Sequence, residues 1–223
     1  MINLLHTVWQ ADSAFPSGSF AFSGGLEAYF AQAPAAGAVA LTQLMRDTLA
    51  QRWASSECVA LAAAHRAGAD LDGVAAADFA LDAATLIEPL REGSRRNGAA
   101  FLAAHDRLGT QGAARLRAAC RSGVCSGHLA PMQGAVFAAL GMDLSASIAA
   151  AGYAALAAMV SAAVRLGRVG AIEGQRALAS LLPLLVGIAA APPPVGAVPE
   201  GFLPLLDIAA ARHARAAMRL FAT

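Results

Sequence analysis

Apolar residues recur along the chain at spacings of three and four, with no run of alternating β-branched residues, so the pattern predicts helix after helix. Ile2, Leu5, Val8 and Trp9 give a short apolar stripe. Leu41, Met45, Leu49, Arg52 or Trp53, Ser56 and Val59 trace one face of a long helix ending near Arg66. Phe79, Leu86 and Leu90 continue at multiples of a helical turn. Pro89 cannot donate an internal hydrogen bond, so it kinks that segment or starts a new helix. Gly109 and Gly112 bracket a turn. Pro131 to Leu140 reads as a helix with its proline in the first turn. Asp143 can cap a long segment from Leu144 to Leu166. Gly170 opens another helix running toward Ala191, broken or bent by Pro183. The stretch from Ala191 to Pro199 is too proline-rich for a helix and is predicted to be extended. The expected fold class is all-α: a single-domain helical bundle over 1–190, a Pro-rich linker at 191–202, and a C-terminal helical tail at 203–223. In the tail, Phe202, Leu205, Leu206, Ala209, His213 and Leu220 are assigned to one face, with Arg212, Arg215 and Arg219 beside it.

Composition narrows the function classes. Apolar residues make up 57% of 223 and charged residues 14%. That is rich for a soluble monomer, and the excess suits an interface or a membrane. Ser145 to Val164 carries no formal charge and is about long enough to span a bilayer. It is mostly alanine, which supplies little insertion energy, so a buried core helix is the expectation. All 16 basic residues are arginine, and against 15 acids the net charge is +1. No concentrated basic surface speaks for nucleic acid. Without lysine the chain cannot build a conventional P-loop or a lysine Schiff base. Three cysteines without a framework spacing fit a reducing compartment, hence the cytoplasm. The N-terminus has no basic segment before its apolar residues and does not read as a secretion signal.

Candidate chemistry is sparse. Cys120, Cys125 and His128 could be read as a zinc or nickel cluster, but the spacing is not a standard finger, and an incidental loop is the simpler reading. Arg91, Arg95 and Arg96 with Glu92 read as a solvated helix face. Arg165 and Arg168 suit the C-terminal end of a helix, where cations meet the dipole. The remaining histidines, His6, His65, His105 and His213, are scattered. No residue set nominates a reaction, so no catalytic residue, cofactor or metal ligand is assigned. The rival classes are a helical membrane-associated protein, tested by detergent-free solubility, and a small helical enzyme, tested by a concave site with perturbed titrating groups.

The segment from Asp12 to Glu27 stands apart. It is rich in turn formers, yet Phe15, Phe20, Phe22 and Leu26 run through it, and exposing so many large apolar groups costs free energy. Gly18, Gly24 and Gly25 give backbone freedom or room for close approach. The segment is either a buried turn between helices or a shaped surface that another protein grips.

An apolar first helix followed by Phe15-Pro-Ser-Gly-Ser-Phe-Ala-Phe-Ser-Gly-Gly-Leu-Glu27 resembles the opening of the UreF family of urease accessory proteins. Further blocks resemble that family in the same order: Arg91-Glu-Gly-Ser-Arg-Arg-Asn-Gly98; Gly127-His128 with the apolar helix through Gly141; Ser161-Ala-Ala-Val-Arg-Leu166 with Gly170 and Gly174-Gln175; and Asp207-Ile-Ala-Ala-Ala-Arg-His213 with Arg219-Leu-Phe221. Gly167-Arg-Val-Gly-Ala171 stands where the family usually shows Pro-Leu-Gly-Gln. The resemblance implies a non-catalytic role in nickel insertion into urease. It also implies complexes with a UreD-type accessory protein (UreH in some organisms), the GTPase UreG and apo-urease, and a homodimer. Partner-facing residues carried over from the matching blocks are Phe20, Ser23, Gly24, Gly25, Glu27, Arg165, Gly174, Gln175, His213, Arg219, Leu220 and Phe221. The tail is expected either to dock on a partner or to fold back on the core.

Overall fold

A computed structural model of the chain describes residues 1–12, 14–16, 24–201 and 203–213, with only the backbone of His213. Phe20, Ser23, Arg219, Leu220 and Phe221 therefore lie outside the described residues, as do Gly18, Phe22, Phe202 and Arg215. The described residues form eleven α-helices and no strand. In chain order they are α1 (Ile2–Ala11), α2 (Leu26–Gln32), α3 (Ala38–Asp47), α4 (Glu57–Ala67), α5 (Leu71–Ala84), α6 (Glu88–Arg107), α7 (Ala113–Ser122), α8 (Leu129–Ala139), α9 (Leu144–Arg165), α10 (Ala171–Ala190) and α11 (Pro204–His213). The expected all-α architecture is the observed one.

The centre of the bundle is α8. Every residue from Ala130 to Phe137 is buried, as expected for a helix that is apolar all round. It packs against α4, α6, α5 and α9. Its approach to α4 requires glycine: a Cβ on Gly134 would lie 2.2 Å from the Leu61 carbonyl oxygen. The long apolar helix α9 is capped by the Asp143 side chain, which accepts from the Ala146 N–H at 2.7 Å, a contact worth about 1 kcal/mol. Small residues on α9 admit its neighbours. A Cβ on Gly152 would meet Leu185 Cδ1 at 2.4 Å and Trp53 at 3.0 Å. Both α9 and α10 are long and apolar enough to cross a membrane by length and composition; here α9 contributes Ile148, Leu156 and Val160 to the bundle core.

Several local expectations need correcting. The helix predicted from Leu41 to Arg66 is interrupted: α3 runs into a π-helical turn at Thr48–Trp53, and a break at Ala54–Ser56 precedes α4. Apolar spacing survives such a break, so periodicity alone did not reveal it. Of the two expectations for Pro89, the start of a new helix is the observed one: it lies in the first turn of α6. Pro183 neither breaks nor ends α10, which continues through it to Ala190. Phe79 and Leu86 point outward, and α5 instead buries Val74, Ala75, Ala77, Asp78 and Leu81. On α1 the apolar residues Ile2, Leu5 and Val8 are exposed, while Gln10 is buried.

Gln10 is buried because it meets His105. The fully buried His105 ring bonds Thr110 Oγ1 through Nδ1 at 2.9 Å and Gln10 Oε1 through Nε2 at 3.3 Å. Phe101, Phe15 and Trp9 surround it, with ring centroids at 4.4, 5.0 and 5.9 Å. Burial disfavours the imidazolium and pulls its pKa down to about 4. A neutral polar clasp thus holds α1 to the bundle.

Candidate functional site

The two terminal blocks singled out in the sequence meet in space. Gly25 opens α2 in the left-handed region, at φ 92°. A Cβ there would sit 3.0 Å from the Leu206 carbonyl oxygen and 3.5 Å from Ala210 Cβ, so glycine serves both the turn and the close approach of α11. Gly24, exposed beside it, has nothing within 4 Å of a built Cβ. Leu26 and Phe30 bury the inner face of α2, and Glu27 is half-buried. From the tail, Leu203, Leu206, Ala209 and Ala210 are buried, whereas Leu205 and Ile208 are 56% and 52% exposed. The face assigned from sequence is therefore corrected at Leu205. Adjacent residues on a helix lie about 100° apart, so Leu205 and Leu206 do not share a face.

Polar contacts fix this arrangement. Asp207 pairs with Arg52 from the π-helical turn. The Glu200 N–H donates to the Ser55 carbonyl at 2.8 Å, in the break before α4. Arg212 donates to Gln32 Oε1 at 3.0 Å. The described part of the tail is folded back on α2 and α6.

The third surface block is the α9–α10 corner. Arg165 is exposed in the last turn of α9, and Gln175 is exposed in the second turn of α10. Gly174 between them is buried: a Cβ would meet Val160 Cγ1 at 2.7 Å, so it admits α9 against α10. Arg168 does more than face a helix end. It donates to the Pro34 carbonyl at 3.2 Å and lies 6.0 Å from the Phe30 ring centre, tying the corner to α2.

The mid-chain blocks serve the interior. Asp78, on α5, accepts from the Gly127 and His128 N–H groups at 2.7 and 2.9 Å, at the start of α8. Burial pushes its carboxyl up, partly opposed by those hydrogen bonds. One turn on, Asp82 bonds His128 Nε2 at 2.8 Å and Arg95, with Arg91 3.8 Å away. Burial alone would raise Asp82, but the bonds from His128 and Arg95 prevail and hold it below the usual carboxylate range. The solvated-face reading is thus corrected for Arg91 and Arg95, which bind α5; Arg96 keeps its exposed pair with Glu92 at 3.0 Å. Gly98 is where α6 touches the Gly127 loop, since a Cβ would lie 2.1 Å from the Gly127 carbonyl oxygen. Sequence reasoning missed Asp78 and Asp82. The available signal was two carboxylates one turn apart on an otherwise alanine-rich helix.

The cysteines are embedded thiols. Burial pushes Cys58 and Cys120 to about 12 and Cys125 to about 11, away from the thiolate a metal needs. Cys120 Sγ contacts Met132 Sδ at 3.9 Å, and the His128 ring is engaged by Asp82. Among the described residues no three His, Cys, Asp or Glu side chains group as metal ligands.

Comparison with known proteins decides the family. Residues 36–182 match UreF. The Urease accessory protein UreF of Cereibacter sphaeroides (strain KD131) is 35% identical over 222 residues, covering 99% of this chain and 98% of that protein. The chain belongs to the UreF family. The family match spans α3 to the middle of α10 and includes both the mid-chain junction and the α9–α10 corner. Proteins of the same description from Trichodesmium erythraeum and Methylorubrum populi are 29% identical over 219 residues and 33% identical over 192 residues. They cover 95% and 85% of this chain, with 93% and 84% of their own lengths. The chain is thus a urease accessory protein of the UreF family.

Proposed function

We propose that this accessory protein works through its surfaces in urease maturation, bridging a UreD/UreH-type accessory protein and the GTPase UreG so that nickel is inserted into apo-urease. It carries out no reaction of its own and modulates the partner GTPase. One observation carries the reading. The ionisable groups Asp78, Asp82, Arg95 and His128 are engaged with one another or with backbone, and buried His105 is engaged by Thr110 and Gln10, whereas Gly24 of the N-terminal block, Arg212 of the tail, and Arg165 and Gln175 of the α9–α10 corner are exposed. Chemistry therefore has few groups to draw on, and recognition has three.

In this reading the N-terminal block, with Phe20, Ser23, Gly24, Gly25 and Glu27, and the tail, with His213, Arg219, Leu220 and Phe221, each serve recognition, the tail toward the UreD-type partner. Arg165 and Gln175, set by Gly174, contact the GTPase side, where a guanidinium offers planar multidentate bonding. The protein acts in the cytoplasm as a homodimer. Co-purification tests the assignment: deleting Gly201 to Thr223 should leave a folded bundle and abolish recovery of the UreD-type partner. Equal recovery with truncated and full-length chains would remove the tail from the contact.

A further inference from the structure

Beneath α11 lies a cleft of about 360 Å³, walled by Trp53, Leu81, Leu90, Met159 and Leu206. The tail closes one side of it through Gly201, Leu206 and Asp207. The opposing rim comes from the π-helical turn, which presents Arg52 to Asp207, and from Ser56, whose Cβ would be 3.3 Å from a Cβ on Gly201.

The closed arrangement carries a cost. Two residues lining the cleft hold a buried oxygen that no protein donor reaches, Glu57 Oε2 and Asn97 Oδ1. A buried acceptor left unmatched destabilises the state that contains it. Arg52 and two carboxylates, Asp207 and Glu57, line the same cleft. Asp207 on α11 holds Arg52 directly, and Glu57 at the start of α4 supports its charge against burial. Lifting α11 removes the first carboxylate and leaves the second, together with its unmatched oxygen, available to the same guanidinium.

We propose that α11 is a lid over this cleft and that Arg52 is its switch, bonded to Asp207 when the lid is shut and to Glu57 when it lifts. The lid is shut by an ion pair that is only partly shielded from water, 16% and 21% exposed at its two side chains. A device of this kind is poised: the pair and the apolar face of α11 favour closure, and the orphaned oxygens favour opening. What opens is the apolar surface under α11, where Trp53 and Leu81 are buried. The inference concerns the isolated chain and stands apart from which partner engages it.

Hydrogen–deuterium exchange of the full-length chain tests it, with 8-anilinonaphthalene-1-sulfonate fluorescence as a probe of the open cleft. Asp207→Asn should accelerate exchange in residues 204–213 at least tenfold and increase dye binding, while α4 and α8 keep wild-type protection. Glu57→Gln should do the reverse and slow exchange in the same residues, because it removes the alternative seat for Arg52. Unchanged exchange of α11 in Asp207→Asn would overturn the proposal, as would acceleration spread evenly over the bundle. Acceleration in Glu57→Gln would also overturn it, and that variant keeps the test decisive if Asp207→Asn fails to fold.

Discussion

The junction of α5, α6 and α8 and the contact of α2 with α11 are built from similar parts and behave differently. Each joins two family-like sequence blocks, each relies on a glycine for close approach, and each contains or adjoins an arginine–carboxylate pair. At the junction the glycine meets backbone, fully buried Asp78 binds two backbone N–H groups, and Asp82 binds His128 and Arg95. Around α11 the Arg52–Asp207 pair is as shielded as Arg95–Asp82, 16% and 21% exposed against 37% and 20%, but a cleft with two orphaned oxygens, rather than a satisfied carboxylate, lies behind it. The lesson is that a recognisable motif marks a constraint without saying which kind. Constraints satisfied inward give rigidity, and those left at the rim give adaptable surface.

The sharpest way to break the comparison is one substitution made in both places. Gly98→Ala drives a Cβ to 2.1 Å from the Gly127 carbonyl oxygen and 3.1 Å from the Gly127 and His128 carbonyl carbons, and should cost about 3 kcal/mol or more, or prevent folding. Gly25→Ala brings a Cβ to 3.0 Å from the Leu206 carbonyl oxygen and should cost chiefly the left-handed strain of φ 92°, about 1 to 2 kcal/mol. Urea unfolding of the two variants measures the gap, and equal losses would erase the distinction. A comparable contrast pairs Asp78→Ala with Arg212→Ala. The first strands two buried N–H groups and should cost about 3 kcal/mol, whereas the exposed bond from Arg212 to Gln32 should cost under about 0.5 kcal/mol.

Acid should loosen a third region, the clasp at His105. His105 has a folded pKa near 4 against an ordinary 6.5, so between those values the unfolded chain binds the extra proton. Stability should fall as pH drops from 6.5 toward 4 and level off below, by up to about 3 kcal/mol. Trp9 fluorescence should report the change, since its ring packs 5.9 Å from His105. Asp82 is held below its ordinary value near 3.8, so its contribution persists above that value and is lost only as pH falls further. A pH titration of Tm lacking a slope between 4 and 6.5 would contradict the buried neutral clasp. The smallest expected stability change is Arg165→Ala, under about 0.5 kcal/mol at an exposed helix end, paired with weaker co-purification of the GTPase. A large loss of Tm with intact partner binding would make that arginine structural.

Helical periodicity, caps and breakers were enough to predict the all-α class, the Asp143 cap, the turn at Gly109 and Gly112, and the proline start of α8, because these depend on neighbours within one or two turns. The ordered family-like blocks were enough for the family. Tertiary structure alone decided which face each amphipathic helix buries, as with Leu205 outside and Ala210 inside on α11, or Gln10 inside on α1. It alone brought Asp78 to the Gly127 loop, 49 residues away, and Asp207 to Arg52, 155 residues away. In an alanine-rich chain many helix faces are nearly equivalent in burial energy. The choice among them then falls to close-packing glycines and a few long-range polar bonds, whose partners no local pattern identifies.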